Sequence, residues 1–102
     1  MTYKEVETQK EYRLLLEDII KESQELVRKF PEVVMYKSIL DQVLDIYEVI
    51  KKNKKLSEDQ IYSRYTLGNI AVKNFDTAHE LYGRKLEDIF GGLFEYFDMP
   101  KS

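Results

Sequence analysis

Apolar residues recur every three or four positions along almost the whole chain, and no stretch of two-residue alternation bounded by turns interrupts them. Tyr12, Leu15, Leu16, Ile19, Ile20, Leu26, Val27 and Phe30 form the first such stripe and predict a helix over residues 8–30. Thr8 and Glu11 stand at capping-box spacing at its start, where each side chain can satisfy a backbone N–H. Pro31 marks the break, because the residue before a proline is pushed out of the helical region and proline suits the first turn of a new helix. Val34, Met35, Ile39, Leu40, Val43, Leu44, Ile46, Tyr47 and Ile50 then predict a second helix over residues 31–53. It closes in Lys51-Lys52-Asn53-Lys54-Lys55, whose positive charge suits the negative end of a helix dipole.

Ser57 and Gln60 repeat the capping-box spacing, with Glu58 and Asp59 in the favoured acidic first turn, and predict a third helix over residues 58–74. Asp76, or Thr77 paired with Glu80, caps a fourth that carries Ala78, Leu81, Tyr82, Leu86, Ile89, Phe90, Leu93, Phe94 and Phe97. Gly91-Gly92 is its weak point, since each glycine costs about 1 kcal/mol relative to alanine inside a helix. Either the helix kinks there or a close neighbour needs the space. Residues 99–102 read as a frayed tail. The expected fold is all-α, a compact antiparallel bundle of about four helices, as a single domain over residues 1–102.

Composition narrows the function classes without choosing one. At 102 residues the chain buries roughly two-thirds of its surface, enough for one small core. With 43% hydrophobic and 13% aromatic residues it is too apolar for an unfolded tail. The absence of cysteine excludes a disulfide scaffold, thiol catalysis and thiolate metal sites. A net charge of −3 argues against nucleic acid, because phosphate binding needs a positive surplus. No run is long and apolar enough for a membrane span, and the charged first seven residues lack a secretory core, so the expected location is cytoplasmic.

Enzyme signatures are missing. His79 is the lone histidine, so no histidine metal pair can form, and its place in a helix first turn reads as a solvated polar residue rather than a base. Gly91-Gly92 lies between phenylalanines without the lysine of a phosphate loop. The pairs Glu17-Asp18, Glu58-Asp59 and Glu87-Asp88 could supply paired carboxylates, yet adjacent helical residues point about 100° apart and solvated faces explain them. The lysine run could meet phosphates, but helix-end solvation suffices. No cofactor and no metal site is expected.

The third helix holds more information. On a wheel at 100° per residue, Tyr65, Gly68, Val72 and Phe75 fall within about 40° of Ile61, and Ala71, Leu67 and Ile70 extend the buried arc. Gly68 and Ala71 on that arc suggest that another helix passes close, the plain reason for a mid-helix glycine. Tyr62, Thr66, Asn69 and Lys73 share the opposite arc, at about 80° to 140°, and mix hydrogen-bonding groups with an aromatic as recognition patches do. An ordinary wet face is the competing reading.

The run from Tyr65 to Asp76 resembles the Thr-Leu-Gly-x-Ile-Ala-Val-Lys-x-Phe-Asp signature of a family of small helical immunity proteins of type VI secretion systems. Thr66, Leu67, Gly68, Ile70, Ala71, Val72, Lys73, Phe75 and Asp76 carry the match, which covers about an eighth of the chain. The founding member protects against an effector that hydrolyses NAD(P)⁺. The resemblance implies an inhibitor that binds the catalytic domain of a cognate effector toxin, an NAD(P)⁺ glycohydrolase or another nucleotide-targeting enzyme, and blocks it without chemistry of its own. An acidic inhibitor suits a nucleotide cleft, which carries positive potential for phosphates. Tyr62, Thr66, Asn69 and Lys73 are then the candidate partner-binding residues. Leu67, Gly68, Ile70, Ala71, Val72, Phe75 and Asp76 form the structural signature, all but Asp76 expected on the buried side. The rival reading is a self-associating helical adaptor in which the second and fourth helices cover a homodimer interface. The free chain is expected as a monomer or a homodimer, with neither nucleic acid nor membrane as partner.

Overall fold

In the computed structural model, which describes residues 6–76 and 78–102, Thr8 opens α1 (Gln9–Lys29) by accepting the Glu11 N–H at 3.1 Å. The Glu11 carboxylate answers through the Thr8 hydroxyl, also at 3.1 Å. The first-turn N–H groups of Gln9 and Lys10 donate to the Pro100 and Lys101 carbonyls at 2.8 and 3.1 Å. The C-terminal tail, expected to fray, is thus fastened as a second cap on donors that a helix start always leaves orphaned.

The second helix, α2 (Val34–Lys51), starts later than the sequence predicts. The Val33 N–H donates to the Phe30 carbonyl at 3.0 Å and closes a turn through Pro31, a place proline suits as well as it suits a helix start. At the far end Asn53 takes the left-handed conformation, φ 55°. Asn53 N–H reaches the Ile50 carbonyl and Lys54 N–H reaches back to Val49, both at 3.0 Å, the paired bonds of a Schellman stop.

The predicted third helix is two helices, α3 (Glu58–Arg64) and α4 (Leu67–Asn74). Ser57 and Gln60 form the full capping box that starts α3. Tyr65 then turns extended and Thr66 restarts the chain in a new direction. The next helix, α5 (Leu81–Leu93), starts at Leu81 because Asp76 caps a turn instead: its carbonyl accepts from His79 and Glu80, and its carboxylate from Ala78. The expected Thr77–Glu80 capping box involves a residue outside those described. Phe97 lies in a separate 3₁₀ turn, Tyr96–Asp98. Among the described residues there is no strand, and five α-helices replace the expected four or so.

Helices α1 and α5 pack antiparallel. Along α1 and α5, Tyr12 donates to the Ile89 carbonyl at 2.6 Å, Lys85 meets Asp18 and Glu22 at 2.6 and 2.9 Å, and Ser23 meets Tyr82 at 2.7 Å. One core cluster includes Leu16 and Ile19 of α1, Ile39, Val43 and Ile46 of α2, Leu67 and Ala71 of α4, and Leu86 and Ile89 of α5. Asp18, read from sequence as part of a solvated pair, therefore anchors a cation whose side chain is only 12% exposed. The weak point in α5 is a close approach rather than a kink at Gly92, where a Cβ would lie 2.8 Å from the Tyr12 ring.

A candidate partner surface between α3, α4 and α5

The break between α3 and α4 is built by two side chains of α2. Asp45 takes Arg64 Nε and Nη2 at 2.8 and 3.1 Å and the Tyr65 hydroxyl at 2.6 Å, which holds Tyr65 buried in its extended conformation. The Arg64 guanidinium, with the Tyr65 hydroxyl behind it, holds the Asp45 carboxyl below the usual carboxylate value although partial burial works against this. Burial and the Asp45 carboxylate together push the Tyr65 phenol well up. Gln42 then accepts the Thr66 N–H at 2.8 Å and donates to the Thr66 hydroxyl at 2.9 Å, capping α4 from outside.

The new direction changes which residues face inward. Leu67 and Ala71 are fully buried, Gly68, Ile70 and Phe75 are half-buried, and Asp76 is exposed. Val72, expected in the buried seam, is 66% exposed, because a wheel phased on Ile61 does not carry across a break in the helix. Gly68 does face a close neighbour: a Cβ there would lie 2.9 Å from the Phe90 ring of α5.

Tyr62 is 61% exposed, and its ring leans on Phe94 and Phe90 with centroids 5.1 and 5.9 Å away. The Phe90 and Phe94 rings stack edge-on at 5.4 Å, so Tyr62 is an exposed aromatic on a fixed base. Beside it runs a groove of about 350 Å³, with Thr66, Gly68, Asn69 and Val72 on the α4 side and Glu87, Phe90 and Gly91 on the α5 side. Three of the four candidate contact residues, Tyr62, Thr66 and Asn69, thus line one groove. Lys73 is exposed on the last turn of α4 and does not line it.

Sequence reasoning missed Glu87, Phe90 and Gly91 as neighbours of this patch. The cost of an interior helix glycine was the available signal for Gly91. Gln42 gave no signal, because its role depends on a segment 24 residues away.

Among the described residues, no group of three histidine, cysteine or acidic residues is placed to hold a metal. His79 is mostly exposed and meets Asp76 at 2.7 Å on the turn before α5. Glu58 and Asp59 are exposed in the first turn of α3. No helix among these residues is long and apolar enough to cross a membrane. A fixed aromatic beside a groove of mixed polarity can recognise a surface.

The model of the Tsi6 family matches residues 11–94. No curated protein and no solved structure matches the chain.

Proposed function

The chain belongs to the Tsi6 family of type VI secretion immunity proteins, and from that premise we propose that it binds the catalytic domain of a cognate effector toxin and blocks it. The toxin is an NAD(P)⁺ glycohydrolase or another nucleotide-targeting enzyme, and the inhibitor acts in the cytoplasm of the producing cell as one domain without chemistry of its own. The family match over most of the chain is the observation that carries this reading.

The groove supports it with a place to bind. Tyr62 offers a rigid aromatic anchor, Asn69 and Thr66 offer hydrogen bonds, and Lys73 offers a charge on the last turn of α4, outside the groove. Interfaces draw most of their affinity from a few such anchors surrounded by polar groups. Most of the apolar stripe of α2 supports this reading over the adaptor, since Ile39, Val43, Ile46 and Ile50 are spent in the core, while Val34 and Leu44 of that stripe stay exposed.

Co-expression with the product of the adjacent upstream gene tests the proposal. Immunity predicts that this product alone arrests growth, that the chain restores it, and that the two co-purify. A harmless neighbour that fails to bind would count against it.

A further inference from the structure

Gly91 is an exposed glycine in the last turn of α5, and a Cβ placed there meets nothing within 4 Å. A helical glycine lowers stability relative to alanine, and here no packing contact compensates. The fold gives no reason for it.

Its surroundings do. Gly91 and Glu87 line both the Tyr62 groove and a smaller depression of about 180 Å³ on the other side of α5. The bare turn of helix is therefore a saddle between two hollows. Glu87 stands one helical turn before Gly91, and Glu95 lies just past the end of α5, where the 3₁₀ turn begins; both line the smaller hollow with Gly91. Among the described residues, no lysine or arginine lines either hollow. Tyr62 and Val72 expose apolar surface on one flank, 61% and 66% respectively.

We propose that this saddle receives a lysine- or arginine-bearing segment of the toxin's catalytic domain, which crosses α5 at Gly91. The inference rests on the immunity reading and names the surface and the partner chemistry for it. The missing side chain lets the segment's backbone approach the helix. Its cation sits between Glu87 and Glu95, and its aliphatic part lies against Tyr62. The two carboxylates select a positive partner and steer its approach. A second copy of this chain is the poorer occupant, because it would bring one acidic saddle against a protein of net charge −3.

Isothermal titration of the purified chain against the catalytic domain encoded by the adjacent upstream gene tests this, with thermal melts of the same samples. Gly91→Ala is expected to raise Tm by about 4 °C or more, as a helix loses a glycine at an uncrowded site. The same variant should weaken toxin binding about tenfold, equivalent to about 1.4 kcal/mol. Gly91→Arg should fold normally and lose binding about a hundredfold or more. Glu87→Lys combined with Glu95→Lys should slow association and remove its dependence on low salt.

If wild-type chain binds and both Gly91 variants bind equally well, the saddle is wrong and the immunity reading survives. If the wild-type chain does not bind, both fall. A lower Tm for Gly91→Ala would make the glycine structural and overturn the proposal. So would light scattering that showed Gly91→Arg abolishing a homodimer while toxin binding stayed intact.

Discussion

The side-chain amide of Gln42 grips Thr66 twice, accepting its N–H at 2.8 Å and donating to its hydroxyl at 2.9 Å. Thr66 makes no side-chain cap of its own, so α4 depends on α2 for its start. Gln42→Leu should cost about 1 kcal/mol, within the range for a lost helix cap, and lower Tm by about 4–8 °C. Gln42→Glu keeps the acceptor and puts negative charge at a helix N-terminus, so it should retain most of that stability. Equal melting of the two variants would show that the cap does not hold α4.

A second prediction concerns Gly83, which is buried where α5 crosses the end of α4. A Cβ there would fall on top of Phe75 Cβ, 2.4 Å away, an atom fixed to the backbone and unable to swing aside. Gly83→Ala should destabilise by about 1–3 kcal/mol through overpacking. This is opposite in sign to Gly91→Ala on the same helix, and chemical denaturation of the two variants side by side gives the comparison.

The buried Ser23 hydroxyl pairs with the Tyr82 hydroxyl at 2.7 Å. Tyr82→Phe leaves Ser23 without that partner and should cost about 1–2 kcal/mol, whereas Tyr82→Phe with Ser23→Ala should cost less than the sum of the single changes. Burial is the main cause that pushes the Tyr82 phenol up to about 12 from an ordinary 10. A raised folded-state value means that the protonated form is favoured by folding. Its contribution is complete below pH 10 and is lost as pH rises through about 12. Ultraviolet titration should show late tyrosine steps, of which Tyr82→Phe removes the one near pH 12 and leaves that of the buried Tyr65.

Asp45 has the opposite sign. Its carboxyl is held below the ordinary 3.8, chiefly by the Arg64 guanidinium. Its contribution is therefore present above that value and is lost as pH falls through the lower folded-state value. The pair is partly exposed, with side chains 39% and 40% accessible, so the effect is under about 1 kcal/mol. The stability difference between wild type and Asp45→Asn should be largest near neutral pH and shrink on acidification. A difference that grows in acid would contradict the assignment.

Local rules make several elements readable in the residues themselves. The Ser57–Gln60 box and the Thr8 cap lie within one turn of chain, and the helix start falls where they say. The gap between α3 and α4 is another matter. No glycine or proline marks residues 65–66, and the break is imposed by Asp45 and Gln42, contacts that span about 20 residues and leave no local trace. Once the helix is broken there, a wheel drawn through it misplaces Val72. Tyr62, Thr66 and Asn69 still meet along one groove because the Tyr62 ring is set by Phe90 and Phe94, not by helical phase. Phe90, Glu87 and Gly91 belong to the same surface but sit on α5, and one sequence gives no sign of which helices face each other.

That this chain silences a toxin by binding it is tested most directly by one measurement. It is the catalytic rate of the toxin domain encoded by the adjacent upstream gene, titrated with purified chain. Complete inhibition is expected at equimolar chain, with Tyr62→Ala weakening it by about 2 kcal/mol, roughly thirtyfold. Undiminished toxin activity at a large excess of folded wild-type chain would contradict it.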